Sequence, residues 1–222
     1  MDVIQVTFEV FETSKVLNIQ IELRVYVIGA QEHEEALFPR FVNFRKSNHL
    51  IMGIKKFNDT IDIWIEELTR FNIGQLQTKP DDRSWSLGQL YQHLIEETSW
   101  YNDQILMTLG NEKNIEKETS DSAKILLDRG SFENKRFQGD PLISENIKQP
   151  TNKAQLKSEL ERLKKNTNVI WVKMTGTSKY GKSEHPGIGF LNCFEWIQYS
   201  EMHMRHHLKQ KKRIEKFLES IK

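Results

Sequence analysis

His203 and His207 stand four residues apart in a stretch whose apolar residues recur at helical period, so both imidazoles leave the same face of one helix. Side chains at that spacing lie about 5–6 Å apart at Cβ, a ready two-point site for a divalent metal ion. Trp196, Gln210, Ile214, Phe217 and Ile221 share their stripe, which turns the pair toward an interior; His206 falls at the stripe's edge. A second helical pattern carries His93 in one row with Leu90, Trp100 and Met107, and Glu97 follows one turn later. Burying three imidazoles without partners is costly, and a single divalent ion satisfies all of them. The competing reading is of separate core or rim histidines, each bonded to its neighbours, because spacing does not show that the two helices adjoin.

Three nitrogen ligands leave a coordination position open, as in catalytic rather than structural zinc sites. Such an ion binds a thiol as thiolate or lowers the pKa of water to about 7, so S-transfer and hydrolysis are both open. Glu97 is the candidate general base or orienting carboxylate, against the plainer role of a salt-bridged surface residue. Gln210, one turn after His207 in the same stripe, either bonds a ligand histidine or packs. His185, before Pro186, reads as a turn or capping element near the mouth of the site, and Cys193 as an inert buried thiol. Trp100, Trp196, Met107 and Phe217 read as core before pocket wall, and Lys209, Lys211, Lys212 and Arg213 as a solvated face. His33 and His49 receive no role.

The 222 residues are 37% hydrophobic and 28% charged, enough apolar material for one good core or two small ones. Thirty-two Lys plus Arg against 31 Asp plus Glu leave a formal charge of +1, without the basic footprint of a nucleic-acid binder. One cysteine excludes an intramolecular disulfide framework, and Asn18, Gln20, Glu22 and Arg24 interrupt the most apolar stretch, so no membrane span is expected. The N-terminus does not read as a secretory signal, which points to the cytoplasm. Ile4, Val6, Phe8 and Val10, then Leu17 to Val27, alternate at period two, the spacing of a β-hairpin; residues 29–51 read as a connector. The expected organisation is an N-terminal extension over 1–51 and a helical domain over 52–222, with Met52 an alternative start. From there the period is helical: about 54–71; from Ser86, with Gln89 at capping-box spacing, to about Leu109; through Leu156 to Met174; and about Leu191 to Ser220. Residues 111–152 read as a long crossover with one short helix around Ile125-Leu126-Leu127. The expected fold is all-α, a four-helix bundle with one long crossover.

The segments RSWSLGQLYQHL (83–94) and KSEHPGIGFLNCFEWIQYSEMHMRHHLKQKKRI (182–214), with the helical layout between them, resemble the DinB/YfiT-like superfamily. The Trp-Ser before the second helix, the His-Leu within it, the His-Pro-x-x-Gly before the last and the H-x-x-x-H-x-x-Gln near the end stand in the expected order. The resemblance covers about residues 52–219 and implies a bacterial, cytoplasmic four-helix bundle, often a homodimer. It implies His93, His203 and His207 as ligands of zinc, nickel or a related ion such as iron or manganese. It also implies a small-molecule substrate and, among characterised members, thiol-dependent transfer or isomerisation with bacillithiol or mycothiol as the low-molecular-weight thiol. The function so implied is that of a metal-dependent thiol transferase or hydrolase. The alternative is a non-catalytic bundle that binds a metal or small ligand.

Overall fold

The computed structural model describes residues 44–133 and 146–221, with side chains from residue 53 onward. The hairpin expected within the first 28 residues, and His33, lie outside the described residues. The elements are α1 (Phe44–Leu68), α2 (Ile73–Gln77), α3 (Leu87–Thr108), α4 (Asp121–Arg129), α5 (Lys153–Thr175), β1 (Ser183–His185), β2 (Gly189–Leu191) and α6 (Cys193–Ser220). The four long helices α1, α3, α5 and α6 form the bundle, and Phe57, Ile61, Trp64, Leu90, Leu94, Ile105, Leu156 and Trp196 fill its core. The first helix starts at Phe44, ten residues before the periodic stretch. Backbone hydrogen bonding propagates one residue at a time through any segment free of proline, and a polar first turn carries no period to read.

Cross-helix contacts fix the directions. Thr60 Oγ1 donates to Glu201 (3.1 Å) and Trp64 Nε1 to the Met204 carbonyl (3.2 Å), so α1 and α6 run parallel. Asn102 Nδ2 donates to Thr167 Oγ1 (2.9 Å), and a Cβ on Gly88 would fall 2.4 Å from the Pro150 ring, so α3 and α5 also run parallel and in close contact at their N-terminal ends. A parallel pair cannot be joined by a tight turn. The chain leaving α3 must return along a helix of 22 residues, about 33 Å long, and residues 109–152 make that return. The expected short helix within the crossover is α4, ended by Gly130 at φ 64°.

The capping box at Ser86 and Gln89 forms as the spacing predicts: Gln89 N donates to Ser86 Oγ and Ser86 N to Gln89 Oε1, both at 3.1 Å. Gln89 Nε2 also donates to the Ile147 carbonyl (2.7 Å), which ties the end of the crossover to the first turn of α3. A second capping box at Asn192 and Glu195 starts α6, and the β1–β2 hairpin precedes it in what reads from sequence as a plain loop.

Four side-chain expectations are corrected. Trp100, expected in the core, is 36% exposed, because the buried residues of α3, Leu90, Leu94 and Ile105, lie to one side of the row that carries it. Met107 is 64% exposed: two heptads beyond His93 a straight helix has drifted about 40°, which carries Met107 from the core row to the rim. Ile221 is 55% exposed because it lies past the last turn of α6. Lys211 is no part of a solvated face. It is buried to 3% exposure, and its Nζ donates to Glu67 (2.8 Å) and Glu215 (2.7 Å), because the parallel register of α1 sets Glu67 opposite it.

Candidate metal centre

Helix α3 runs antiparallel to α6, which sets the N-terminal third of α3 against the middle of α6 and brings the three sequence-selected histidines to one place. The ring centroid of His93 lies 5.2 Å from that of His203 and 4.9 Å from that of His207, and the last two are 4.5 Å apart. One nitrogen from each lies within 4.8 Å of the others. His203 Nε2 and His207 Nε2 are 3.1 Å apart, and Gln210 Oε1 lies 2.8 Å from His207 Nδ1. With Gln210 Oε1 accepting from Nδ1–H, the bare lone pair of His207 is on Nε2, toward the other two rings. Two nitrogens bound to one tetrahedral zinc at about 2.0–2.1 Å lie about 3.3 Å apart, close to what the pair already has.

The protein around the cluster is aromatic. Trp85 lies 4.8 Å from the His93 ring, Tyr199 is stacked on His203 with 9° between planes, and Tyr101 and Phe132 meet His203 edge-on at 5.6 and 6.4 Å. Burial in this setting opposes the imidazolium form. It lowers His93 to about 4; it lowers His207 to about 3, with the charge of His93 adding to it; and it holds His203 well below the usual histidine range, with His207 and His93 adding to it. At neutral pH all three rings are therefore uncharged and free to donate a lone pair, and each retains partial exposure. The donor set fits a divalent ion with an open position.

The same shifts set a pH dependence for chelator-treated protein. The unfolded histidines take up protons near pH 6.5 and the folded ones only much lower, so the stability contributed by keeping them neutral is whole above about pH 6.5. It falls as the pH drops toward 4, by at most about 1.4 kcal/mol per pH unit for each ring. Urea unfolding at pH 7.5, 6 and 5 checks this, and His93→Ala should flatten the slope. An unchanged stability over that range would mean the rings protonate freely in the fold.

Glu97 is one turn after His93 and partly buried; burial raises its carboxyl, and a hydrogen bond from Tyr101 partly offsets this. Tyr101 is raised well above the usual phenol range by burial, and Tyr199 is raised to about 12 by burial with the Glu97 charge adding to it. Gln210 takes the first of its two expected roles, bonding His207. His206 sits outside the triad, its ring 5.2 Å from Phe132. His185 accepts from Gly187 N at 3.0 Å, the expected turn element, with its ring 4.8 Å from Tyr199. Cys193 is fully buried, and burial pushes its thiol up to about 12, which leaves it inert. Sequence reasoning missed Tyr101, Tyr199 and Phe132, and met Trp85 only within the Trp-Ser motif, without a role. Tyr199 had a signal, being four residues before His203 on the same face; Phe132 comes from the crossover and had none.

No family model and no curated protein sequence matches the chain. Among solved structures, it is similar to YfiT from Bacillus subtilis, described as a probable metal-dependent hydrolase with an unusual four-helix bundle topology. The identity is 13%, the coverage 84% of this chain and 94% of that one, and the TM-score 0.46. The bundle here is established by its own helix directions. No helix among the described residues is long and apolar enough to cross a membrane.

Proposed function

We propose that this chain is a metal-dependent enzyme of DinB/YfiT-like type, in which His93, His203 and His207 hold one divalent ion, zinc or nickel before iron or manganese. Acting on a small electrophile in the cytoplasm, as a homodimer, belongs to the same reading. The observation that carries it is the convergence of three uncharged imidazoles from α3 and α6 on one partly open point. The ion supplies Lewis acidity, enough to keep a thiol or a water deprotonated near neutral pH. The protein supplies orientation and proton handling. Gln210 fixes the tautomer of His207, and Trp85, Tyr101 and Tyr199 exclude water from the back of the rings. Glu97, with its carboxyl raised and Tyr101 bonded to it, accepts the proton of the incoming nucleophile.

Protein purified without a tag or chelator should carry about one divalent ion per chain. Loaded protein should turn over electrophiles or esters only with metal present, and the requirement for an added thiol separates transfer from hydrolysis. Glu97→Gln should lower turnover about 10²–10⁴-fold, the range for general acid–base groups, with metal content unchanged. Tight metal binding with no turnover across both substrate sets would favour the non-catalytic bundle instead.

A further inference from the structure

Metal-ligating histidines nearly always have their second ring nitrogen held by a carboxylate, carbonyl or water. Gln210 does this for His207, but Nδ1 of His203 is buried with no hydrogen-bond partner among the described residues. Two buried hydroxyls share that condition, Ser200 Oγ and Thr98 Oγ1, on residues with 1% and 0% exposure. Their positions in the chain set the three residues on adjoining turns of the α3–α6 pair. Ser200 is one turn before His203, and a helical side chain leans back over the turn N-terminal to it, as the stacking of the His203 ring on Tyr199 shows. Across the antiparallel pair, His93 meets His203 and His207 while Tyr101 meets Trp196 and Tyr199, which sets Thr98 at the axial level of Ser200.

We infer that Thr98 and Ser200 form a hydroxyl pair that binds one internal water against Nδ1 of His203, making both of them positioning residues for that ring. Internal waters typically make about three hydrogen bonds to buried polar groups that lack other partners, and three such groups lie on adjoining turns of this helix pair. The chemistry favours hydroxyls and water over a carboxylate. In the metal-free protein His207 Nε2 is an acceptor, so the 3.1 Å contact needs the proton of His203 on Nε2, and Nδ1 then accepts. When Nε2 gives its lone pair to a metal, that proton is on Nδ1, which then donates. Only a partner that both donates and accepts serves both tautomers, and water and hydroxyls do.

The inference rests on the metal reading, and metal-free protein tests it separately. Isolated unsatisfied hydroxyls cost stability, so removing them should raise the melting temperature; hydroxyls that share a water leave the others short of partners when one is removed, so the melting temperature should fall. We expect Thr98→Val and Ser200→Ala each to lower the melting temperature of stripped protein, the double variant to lose less than the sum, and Thr98→Ser, which keeps the hydroxyl, to keep the wild-type zinc affinity. Nitrogen NMR should show His203 protonated on Nε2 when stripped and on Nδ1 when zinc-loaded, and each hydroxyl deletion should weaken zinc about 10–100-fold in chelator competition. A raised or unchanged melting temperature overturns the shared water. A lowered one with zinc affinity unchanged overturns the positioning role. If wild-type protein takes up no zinc, the metal reading fails by itself, while the melting temperatures and the stripped tautomer still decide the water.

Discussion

Replacing any one of His93, His203 and His207 by alanine should abolish metal retention, from about one ion per chain to none after desalting, while His206→Ala retains it. Two nitrogens on a partly open face do not hold a borderline divalent ion against water as three do, and the pairwise ring distances of 4.5–5.2 Å give no fourth side chain the same standing. Gln210→Ala should fall between. It removes only the acceptor on His207 Nδ1, and loss of such a support costs about 10–100-fold in affinity. Elemental analysis and competition with a chelator read all five proteins. The His206 variant is the discriminating one, because that ring is only 5.6 Å from His207 and its loss would matter if α6 were rotated by part of a turn. Retention of the ion by all the single variants would place the metal elsewhere.

Lys211→Ala should be among the most destabilising single changes in the bundle, by about 3–5 kcal/mol, since it leaves carboxylates facing one another without their buried cation. Lys211 Nζ bonds Glu67 and Glu215 in the same stroke, and it lies over the Phe71 ring, 5.5 Å from its centre. Arg70, bonded to both carboxylates from the solvent side, holds the loss toward the lower end. For a folded unit of this size the melting temperature should fall by roughly 6–20 °C. The informative companion is Lys211→Met with Glu67→Leu and Glu215→Leu. Apolar replacement of a whole buried ion cluster is often neutral or stabilising, so the triple variant should regain much of the loss. Urea unfolding measures both. A loss below about 1 kcal/mol for Lys211→Ala would mean that water reaches the cluster as it reaches exposed pairs.

These two sites differ in how far the sequence exposed them. The inward direction of His203 and His207 follows from helical spacing, since the residues at the same phase of α6, Trp196 and Ile214, are buried. Lys211 reads as solvated from its charge and its basic neighbours, and its burial depends on a carboxylate on α1, more than 140 residues earlier. The helical wheel misjudged Met107, which lies about 40° from His93 on the side away from the buried Leu90 and Leu94. Local signals with a reciprocal partner were legible: Ser86 with Gln89 is a complete capping box within four residues. Asn192 with Glu195 is another, and it was overlooked beside the apolar Leu191.

The sequence by itself determined the four amphipathic helices, the long return between the second and third of them, and which imidazoles face inward, because hydrophobic period and capping chemistry are properties of a dozen neighbouring residues. Only the tertiary structure decided that α3 lies against α6 in the register that joins His93 to the other two, that Gln210 bonds His207, and that Lys211 is sealed between Glu67 and Glu215. Those outcomes depend on relative helix direction and axial offset. The packing of all four helices sets them together, and no single stretch of the chain encodes them.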